Sequence, residues 1–223
     1  MHPQSDALIT SVSLPMLFAG LAGVMGIGQM VPYAVSSFRG VTKPSRAAAL
    51  ISVASNLVVL LSMAATGARA GLVMPIAFAF TGLLTLGLAM KYGHSGFTKL
   101  DIFSASLAAI ALIAFLVVGP LVALVALAIA QSAGVSTVWT KLRRYPGSED
   151  RLAWVMVFLS AVFTVLAIFA EGVVYPAAVF VPLVSTLTFG VVLATTLIQG
   201  NPAARTSAAS SARSSEIREP QPA

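Results

Sequence analysis

The chain has 223 residues, of which 58% are hydrophobic and only 9% are charged, whereas roughly 25% are charged in an ordinary soluble domain. This composition excludes a water-soluble globule, and the absence of cysteine excludes disulfides, thiolate catalysis and thiolate metal sites. The formal net charge of +6 is explained better by basic loops beside a membrane than by nucleic-acid binding, so no nucleic-acid partner is expected.

Long runs without a charged side chain define the predicted membrane spans. Six such runs cover most of the sequence: 7–38, 47–68, 70–90, 102–140, 152–170 and 172–204. A membrane-spanning helix needs about 20 predominantly apolar residues, so five of the runs fit one helix each. The run 102–140 is too long for one span, because at about 1.5 Å per residue it would reach roughly 58 Å.

A glycine and a proline near the middle of that run, Gly119 and Pro120, predict a tight turn between two helices, since glycine is flexible and proline has no amide donor. The chain is therefore predicted to be an all-α, polytopic membrane protein. Its seven predicted transmembrane helices are about 8–36, 47–67, 71–90, 100–118, 121–140, 152–170 and 173–198.

The basic residues lie on one side of this arrangement. If the N-terminus, 1–7, is outside, twelve of the thirteen lysines and arginines fall in inside loops or in the C-terminal tail, and only Arg69 is outside. Lysine and arginine accumulate on the cytoplasmic side of short loops. We therefore expect a multi-pass protein of the cell (plasma or inner) membrane with its C-terminus in the cytoplasm. The tail, 199–223, is rich in Ser, Ala, Pro and Arg and is expected to be disordered.

Two segments of the sequence are similar to each other and predict an internal repeat. With an offset of 104, later 105, residues 26–67 align with residues 130–172. The alignment places Arg39 opposite Arg143, and each copy consists of an apolar helix, a basic loop that contains a proline, and a second apolar helix. An offset that crosses three helices and a linker gives both copies the same orientation, as parallel repeats require.

Two loops carry short motifs: the first reads GQMVPYAVSSFRGVTKPSR and the second reads KLRRYPGSED. The sequence around them, about residues 20–170, resembles the PQ-loop proteins, the family that contains the SWEET and SemiSWEET sugar transporters, and is most similar to a bacterial seven-helix branch of it. The resemblance implies two parallel three-helix bundles, 8–90 and 121–198. A loop and a linker helix within 91–120 would join them.

Polar or helix-breaking residues inside the spans are the candidates for a solute path. Pro32 leaves a backbone carbonyl without its partner, and it is interpreted either as a hinge for alternating access or as a tolerated helix end. Amides in hydrocarbon seek partners, so they should face the bundle interior, where they line a path or hold helices together. The candidate substrate-binding residues are Gln29, Pro32, Tyr33, Asn56, Gln131, Ser136 and Trp154.

The proposed solute path has a specific geometry. If solute passes between the bundles, Gln29 and Gln131 on the first helix of each repeat should face a central cavity near Asn56 and Trp154. Trp154 is included because the resemblance places a tryptophan there. Four glycines of the first helix are interpreted as packing positions, because they let another backbone approach closely. They are Gly20, Gly23, Gly26 and Gly28.

Charged side chains are absent from the interior of the predicted spans. Proton-coupled transporters generally use relays of buried Asp, Glu or His, and here only Asp101 and Glu171 come near, both at span ends. The seventh predicted helix has no lysine for a retinal Schiff base, and the sequence has no catalytic, phosphate-binding or metal-binding motif. We therefore expect no enzymatic activity, no cofactor and no metal.

Two functions stay open. The first is facilitated movement of a small neutral solute, with sugar as the option that the resemblance implies, by alternating access. The second is a non-transporting scaffold or partner-binding protein whose basic inner face contacts acidic lipid headgroups. The repeat favours the first. The second is favoured because Tyr33 replaces the family's glutamine after Pro32 and Ser136 replaces the second-copy proline. A homo-oligomer in the lipid bilayer also stays open.

Overall fold

The computed structural model describes residues 13–199, apart from 41, 43, 68, 94–98, 145, 148 and 173–175. The secondary structure of this part of the chain is helical. They are α1 (Leu14–Gly28), α2 (Met30–Phe38), α3 (Arg46–Thr66), α4 (Val73–Tyr92), α5 (Lys99–Val117), α6 (Pro120–Arg144), α7 (Arg151–Ala170) and α8 (Pro176–Ile198). Only Gln29 separates α1 from α2, so the described chain forms seven helical segments.

Six of these segments are long and apolar enough to cross a membrane. They are Leu14–Phe38, Arg46–Ala65, Ala70–Tyr92, Pro120–Arg143, Arg151–Ala170 and Val179–Ile198, and α5 contains the shorter apolar stretch Ile102–Val117. Large aliphatic side chains cover the outside of the bundle; Leu116 and Val117, for example, are 73% and 78% exposed. An outer surface of this kind is compatible with lipid and not with water. The chain therefore has the build of a multi-pass membrane protein.

The predicted spans agree with the observed helices to within a few residues where both can be compared. The largest difference inside the described chain is at the predicted span 121–140, where α6 continues to Arg144. The reason is that a lysine or arginine marks the edge of the hydrocarbon and does not end the hydrogen bonding of a helix. The predicted N-terminus, 1–7, the start of the first span at 8 and the tail beyond Gln199 lie outside the described residues.

The break between α1 and α2 is explained by Pro32 in the first turn of α2. Proline has no N–H, so the carbonyl of Gly28 loses its usual helical donor. On either side of that gap the ladder continues, with the Gln29 amide donating to Met25 and the Tyr33 amide donating to Gln29, both at 3.2 Å. Gln29 keeps helical dihedral angles. The proline therefore removes one hydrogen bond without taking the chain out of helical conformation.

The helices pack in two groups of neighbours. In the first part of the chain α4 packs against both α1 and α3, and in the second part α8 packs against both α6 and α7. Between these groups, α1 lies along α7 and α3 contacts α6, while α5 packs on α6 and α3. The bundle therefore has two places where its halves meet, the α1–α7 interface and the α3–α6 interface.

The main apolar cluster lies at one end of the bundle, where α3 and α7 end and α6 and α8 begin. Its buried members are Val58, Val59, Met63, Ala111, Leu124, Leu127, Ile168, Val179 and Val181. Five helices contribute to this set, so it holds the two groups together at that end. We refer to it below as the apolar cluster.

Candidate functional site

The α1–α7 interface is closely packed. A Cβ added at Gly26 would lie 3.0 Å from the Ser160 hydroxyl and 3.1 Å from the Cβ of Ala77, which is tighter than ordinary contact. The Ser160 hydroxyl is fully buried and donates to the carbonyl of Ala22 at 2.8 Å. Small side chains at these positions let the helix backbones approach closely, as in many membrane helix pairs. The predicted packing role therefore agrees with the surroundings of Gly26.

The other three glycines of α1 differ in the space around them: Gly23 and Gly28 have close neighbours, and Gly20 does not. A Cβ at Gly23 would lie 2.8 Å from Val73, and one at Gly28 would lie 2.5 Å from the terminal methyl of Met156. Gly20 is exposed, and no atom of another described residue lies within 4 Å of such a Cβ. Within the described part of the chain Gly20 is therefore not a packing position, which departs from the sequence-based interpretation.

A cavity of about 270 Å³ lies at the α3–α6 interface, with α4, α5 and α8 completing its walls. Its polar lining side chains are Ser52, Ser55, Asn56, Ser104 and Gln131. The rest of the lining is apolar, and no charged side chain of the described residues belongs to it. The arrangement can form hydrogen bonds with an uncharged molecule but offers no counter-charge for an ion.

The two ends of the cavity differ in exposure. One end, called the closed end below, is formed by residues of the apolar cluster, where Met63 and Leu127 are each 1% exposed. At the other end, near the start of α3, the lining includes the exposed Ser52, and we refer to it as the open end.

Asn56 on α3 is held by its amide donors. Its Nδ2 donates to the carbonyl of Phe78 on α4 and to the hydroxyl of Ser52, each at 3.3 Å. The Oδ1 atom accepts no hydrogen bond from any residue that the structure describes. The side chain is half-buried in the cavity wall. Asn56 thus links two helices while leaving one acceptor available to a solute.

Gln131 on α6 has a parallel role on the opposite wall. Its Nε2 donates to the hydroxyl of Ser185 on α8 at 2.8 Å, and that fully buried hydroxyl donates to the carbonyl of Val181. The Oε1 atom has no hydrogen-bond donor among the described residues. The structure therefore brings the two amides predicted from sequence, Asn56 and Gln131, into one cavity.

Ser104 on α5 is a lining residue that the sequence reasoning missed. Its side chain is 3% exposed, and its hydroxyl has no hydrogen-bond partner among the described residues. By contrast, the nearby Ser106 is exposed and donates to its own helix, at the carbonyl of Ile102. A signal existed in the sequence, because Ser104, Ala108 and Ala111 recur at helical spacing and share the buried face of α5.

Trp154 lies behind the cavity wall and does not line the cavity. Its indole Nε1 donates to a Glu149 carboxylate oxygen at 3.2 Å, and the other oxygen of Glu149 bonds the Lys141 ammonium at 2.8 Å. The indole ring meets the ring of Phe189, a lining residue, edge-on with centroids 6.0 Å apart. Trp154 therefore contacts the cavity through Phe189.

The remaining predicted residues lie outside the lining of this cavity. Gln29, Pro32 and Tyr33 belong to the α1–α2 segment, which packs on α4 and α7. Ser136 is exposed on α6, and its hydroxyl donates to the carbonyl of Ser132 in the same helix at 2.8 Å. Of the two glutamines expected to face one central cavity, Gln131 lines this cavity and Gln29 does not.

Charged side chains sit at the helix ends. Arg46 at the start of α3 donates to the carbonyls of Ala89 and Met90 at the end of α4, at 3.2 and 3.1 Å. At the opposite end of the bundle, the Glu171 carboxylate accepts from the Ala70 amide at 3.1 Å. Within the described ranges, no group of three or more His, Asp or Glu side chains could hold a metal ion.

The chain matches no protein-family model, no curated protein and no solved structure. Its function must therefore be argued from its own geometry.

Proposed function

We propose that this protein moves a small neutral solute across a membrane by alternating access. The observation that carries the proposal is the uncharged, partly polar cavity of about 270 Å³ at the α3–α6 interface. A buried polar group without a partner costs about 1–3 kcal/mol. The buried Ser104 hydroxyl would recover that cost by bonding a solute, and the amide oxygens of Asn56 and Gln131 offer two further acceptors beside it.

The proposed solute is neutral because the cavity offers no described charge to pair with an ion. An unpaired charge within a membrane costs more than an unpaired neutral group. The same reasoning disfavours proton coupling through a buried carboxylate, since the described carboxylates of Glu149 and Glu171 are engaged near helix ends. Movement down a gradient is therefore the proposed mode, without enzymatic chemistry.

The proposal includes the build of two parallel three-helix bundles joined by α5. It is supported by the neighbour pattern, since the last helix of each group packs on the other two: α4 on α1 and α3, and α8 on α6 and α7. Exchanging the two groups about a twofold axis along the membrane normal would also exchange the α1–α7 and α3–α6 interfaces. Parallel repeats are related by an axis of this kind.

The proposed orientation has the N-terminus outside and the C-terminus in the cytoplasm. It is supported by the basic residues at one end of the bundle, among them Arg46, Lys91 and Lys141. In this orientation the open end of the cavity, near Ser52, faces the cytoplasm. A reporter fused after residue 205 should be active only in the cytoplasm and one fused before residue 8 only outside. Finding both termini on one side would contradict the seven-span arrangement.

The second candidate function is a non-transporting scaffold or partner-binding protein whose basic face contacts acidic lipid headgroups. The close α1–α7 interface favours it, because the first helix contributes no residue to the cavity lining within the described chain. A solute path that used the first helix of each repeat would need this interface to open. The two candidates therefore differ in whether solute flux occurs at all.

Uptake into liposomes containing the purified full chain tests the proposal. A panel of radiolabelled sugars and other uncharged metabolites should include at least one solute that enters faster than into protein-free liposomes. Gln131→Leu removes the amide at similar volume and should reduce that uptake at least tenfold. Ser136→Ala, on the same helix but outside the cavity, is the matched control and should leave it unchanged.

Two outcomes of the uptake experiment would contradict transport through this cavity. If no solute of the panel enters, or if Gln131→Leu and Ser136→Ala behave alike at equal amounts of inserted protein, transport through this cavity is rejected. The scaffold function then stands. Binding of the purified protein to vesicles with and without anionic lipid would measure its proposed interaction directly.

A further inference from the structure

The end of the cavity that is formed by the apolar cluster has no polar lining side chain among the described residues. On α3 the polar lining residues end at Asn56, and the lining residues that follow, Val59 and Met63, are apolar. On α6 the apolar Leu127 comes one turn before the polar Gln131. Because Val59, Met63 and Leu127 all belong to the apolar cluster, they mark a common end. The polar groups are thus displaced from that end by about one helical turn, roughly 5–6 Å.

The polar stretch has a small hydrogen-bonding capacity. Ser104 supplies one buried hydroxyl without a partner among the described residues, and Asn56 and Gln131 each supply one amide oxygen that accepts nothing from that part of the chain. Both N–H groups of the Asn56 amide and one of the two N–H groups of the Gln131 amide already bond other residues. This set fits a single head group that donates to an amide oxygen and bonds the Ser104 hydroxyl.

The apolar stretch makes a polyhydroxylated solute a poor fit. A sugar ring carries hydroxyl groups on all sides, and those turned towards the side chains of Val59, Met63 or Leu127 would find no hydrogen-bond partner there. Each buried hydroxyl left without a partner costs about 1–3 kcal/mol. An apolar body in the same place is stabilised by removing its surface from water.

The volume agrees with a compact ligand. A dry apolar cavity of about 150 Å³ is enough to bind benzene. The present cavity, at about 270 Å³, therefore has room for a six-membered ring with one polar substituent. The open end near Ser52 would admit it, and the apolar cluster would receive its ring.

We propose, on the basis of the function proposed above, that the cavity takes an uncharged amphipathic molecule with one hydrogen-bonding head group and a compact apolar body, and not a polyhydroxylated sugar. The head group bonds Ser104 together with the amide oxygens of Asn56 and Gln131. The apolar body lies against Val59, Met63 and Leu127. Ser104 thereby gives the linker helix α5 a direct role in choosing the solute.

Ligand binding to the cavity can be measured by the fluorescence of Trp154, which lies behind the cavity wall. The chain has two tryptophans, so Trp139→Phe leaves Trp154, whose ring contacts the lining residue Phe189. The full-length variant in lipid nanodiscs is titrated with cyclohexanecarboxamide, which does not absorb at the excitation wavelength of tryptophan, and separately with D-glucose. The carboxamide should produce a saturable fluorescence change, and D-glucose should bind at least tenfold more weakly.

Two serine variants separate a ligand contact from a structural role. Ser104→Ala should weaken carboxamide binding 3- to 10-fold, the value of one neutral hydrogen bond. It should leave thermal stability unchanged or higher, because the hydroxyl that it removes has no partner within the described chain. Ser106→Ala, whose exposed hydroxyl bonds only its own helix, is the control and should change neither quantity.

The outcomes distinguish this inference from the function on which it rests. Tighter binding of D-glucose, carboxamide binding that Ser104→Ala leaves intact, or a bilayer lipid that the carboxamide cannot displace from the cavity would each overturn the amphipathic ligand. Measurable uptake of some solute in those cases would keep transport standing. Saturable, Ser104-dependent carboxamide binding without uptake of any solute would support the ligand class and reject transport.

Discussion

The two places where the halves of the bundle meet differ in how closely the helices are packed. At the α1–α7 interface, Gly26 faces Ser160, and the buried Ser160 hydroxyl donates to the Ala22 carbonyl at 2.8 Å. At the α3–α6 interface, a cavity lies between the helices, and its lining includes both small side chains and the amides of Asn56 and Gln131. Helices in lipid gain no hydrophobic driving force by associating, so their contact depends on small residues and on hydrogen bonds between helices.

The polar groups of the two regions also differ in their partners. At the α1–α7 interface, called the closed interface below, the Ser160 hydroxyl donates to the backbone of the opposite helix. At the α3–α6 interface, called the open interface below, the amides of Asn56 and Gln131 each donate to a neighbouring helix, and their oxygens accept nothing from the described residues. If solute passes through the cavity as proposed, substitutions should affect stability at the closed interface and flux at the open one.

The largest effect is expected from overfilling the closed interface. Gly26→Leu places a side chain where even a Cβ would lie 3.0 Å from the Ser160 hydroxyl. Overpacking of this kind costs about 1–3 kcal/mol or more, so the free energy of unfolding should fall by at least that amount. Reversible unfolding in mixed detergent measures it. Gly20→Leu, at a position with open space, is the control, and equal losses in the two variants would refute the close packing.

The next effect concerns flux through the open interface. Asn56→Leu removes a cavity amide whose hydrogen bonds are long, at 3.3 Å. Uptake of the transported solute should fall about tenfold, while the free energy of unfolding changes by less than about 1 kcal/mol. Thr195→Val, which loses an exposed hydroxyl bonded within α8, provides the baseline for both assays. A large loss of stability with normal uptake would make Asn56 a purely structural residue.

A smaller effect is expected from removing the hydrogen bond of the closed interface. Ser160→Ala deletes the donor to the Ala22 carbonyl. Interhelical hydrogen bonds in membranes contribute about 0.6 kcal/mol on average and at most about 1.7, so the free energy of unfolding should fall by about 1 kcal/mol. Ser136→Ala, whose hydroxyl bonds its own helix, should be neutral in the same unfolding experiment. The expectation fails if both variants are neutral.

The smallest effect on stability is expected at Pro32, which interrupts the first helix of the closed side. Pro32→Ala supplies the amide that the Gly28 carbonyl lacks, so stability should stay the same or rise by up to about 1 kcal/mol. If the α1–α2 junction bends as a hinge when the α1–α7 interface opens, the same variant should slow uptake. Unchanged uptake in both Pro32→Ala and Gln29→Ala would leave these residues as packing positions only.

Sequence reasoning predicted the helices well because their cause is local. A run without charge, a Gly119–Pro120 turn and a loop rich in lysine or arginine each act within a few residues, and lipid requires every backbone group in a span to be satisfied within its own helix. The same local logic identified Asn56 and Gln131, since an amide in a span must face protein. This logic could not exclude Gln29 from the cavity lining, because it says only that an amide should face protein and not which helices it should face.

The sequence by itself determined that this is an all-helical membrane protein and where its helices run, because hydropathy is read along the chain and lipid permits few other structures. Only the tertiary structure decided which helix faces meet. Ser104 looks like any hydroxyl in an apolar helix until α5 packs on α6 and buries it without a partner in the described chain. The position of the cavity depends likewise on how side chains of five helices pack together, and those residues lie far apart in sequence.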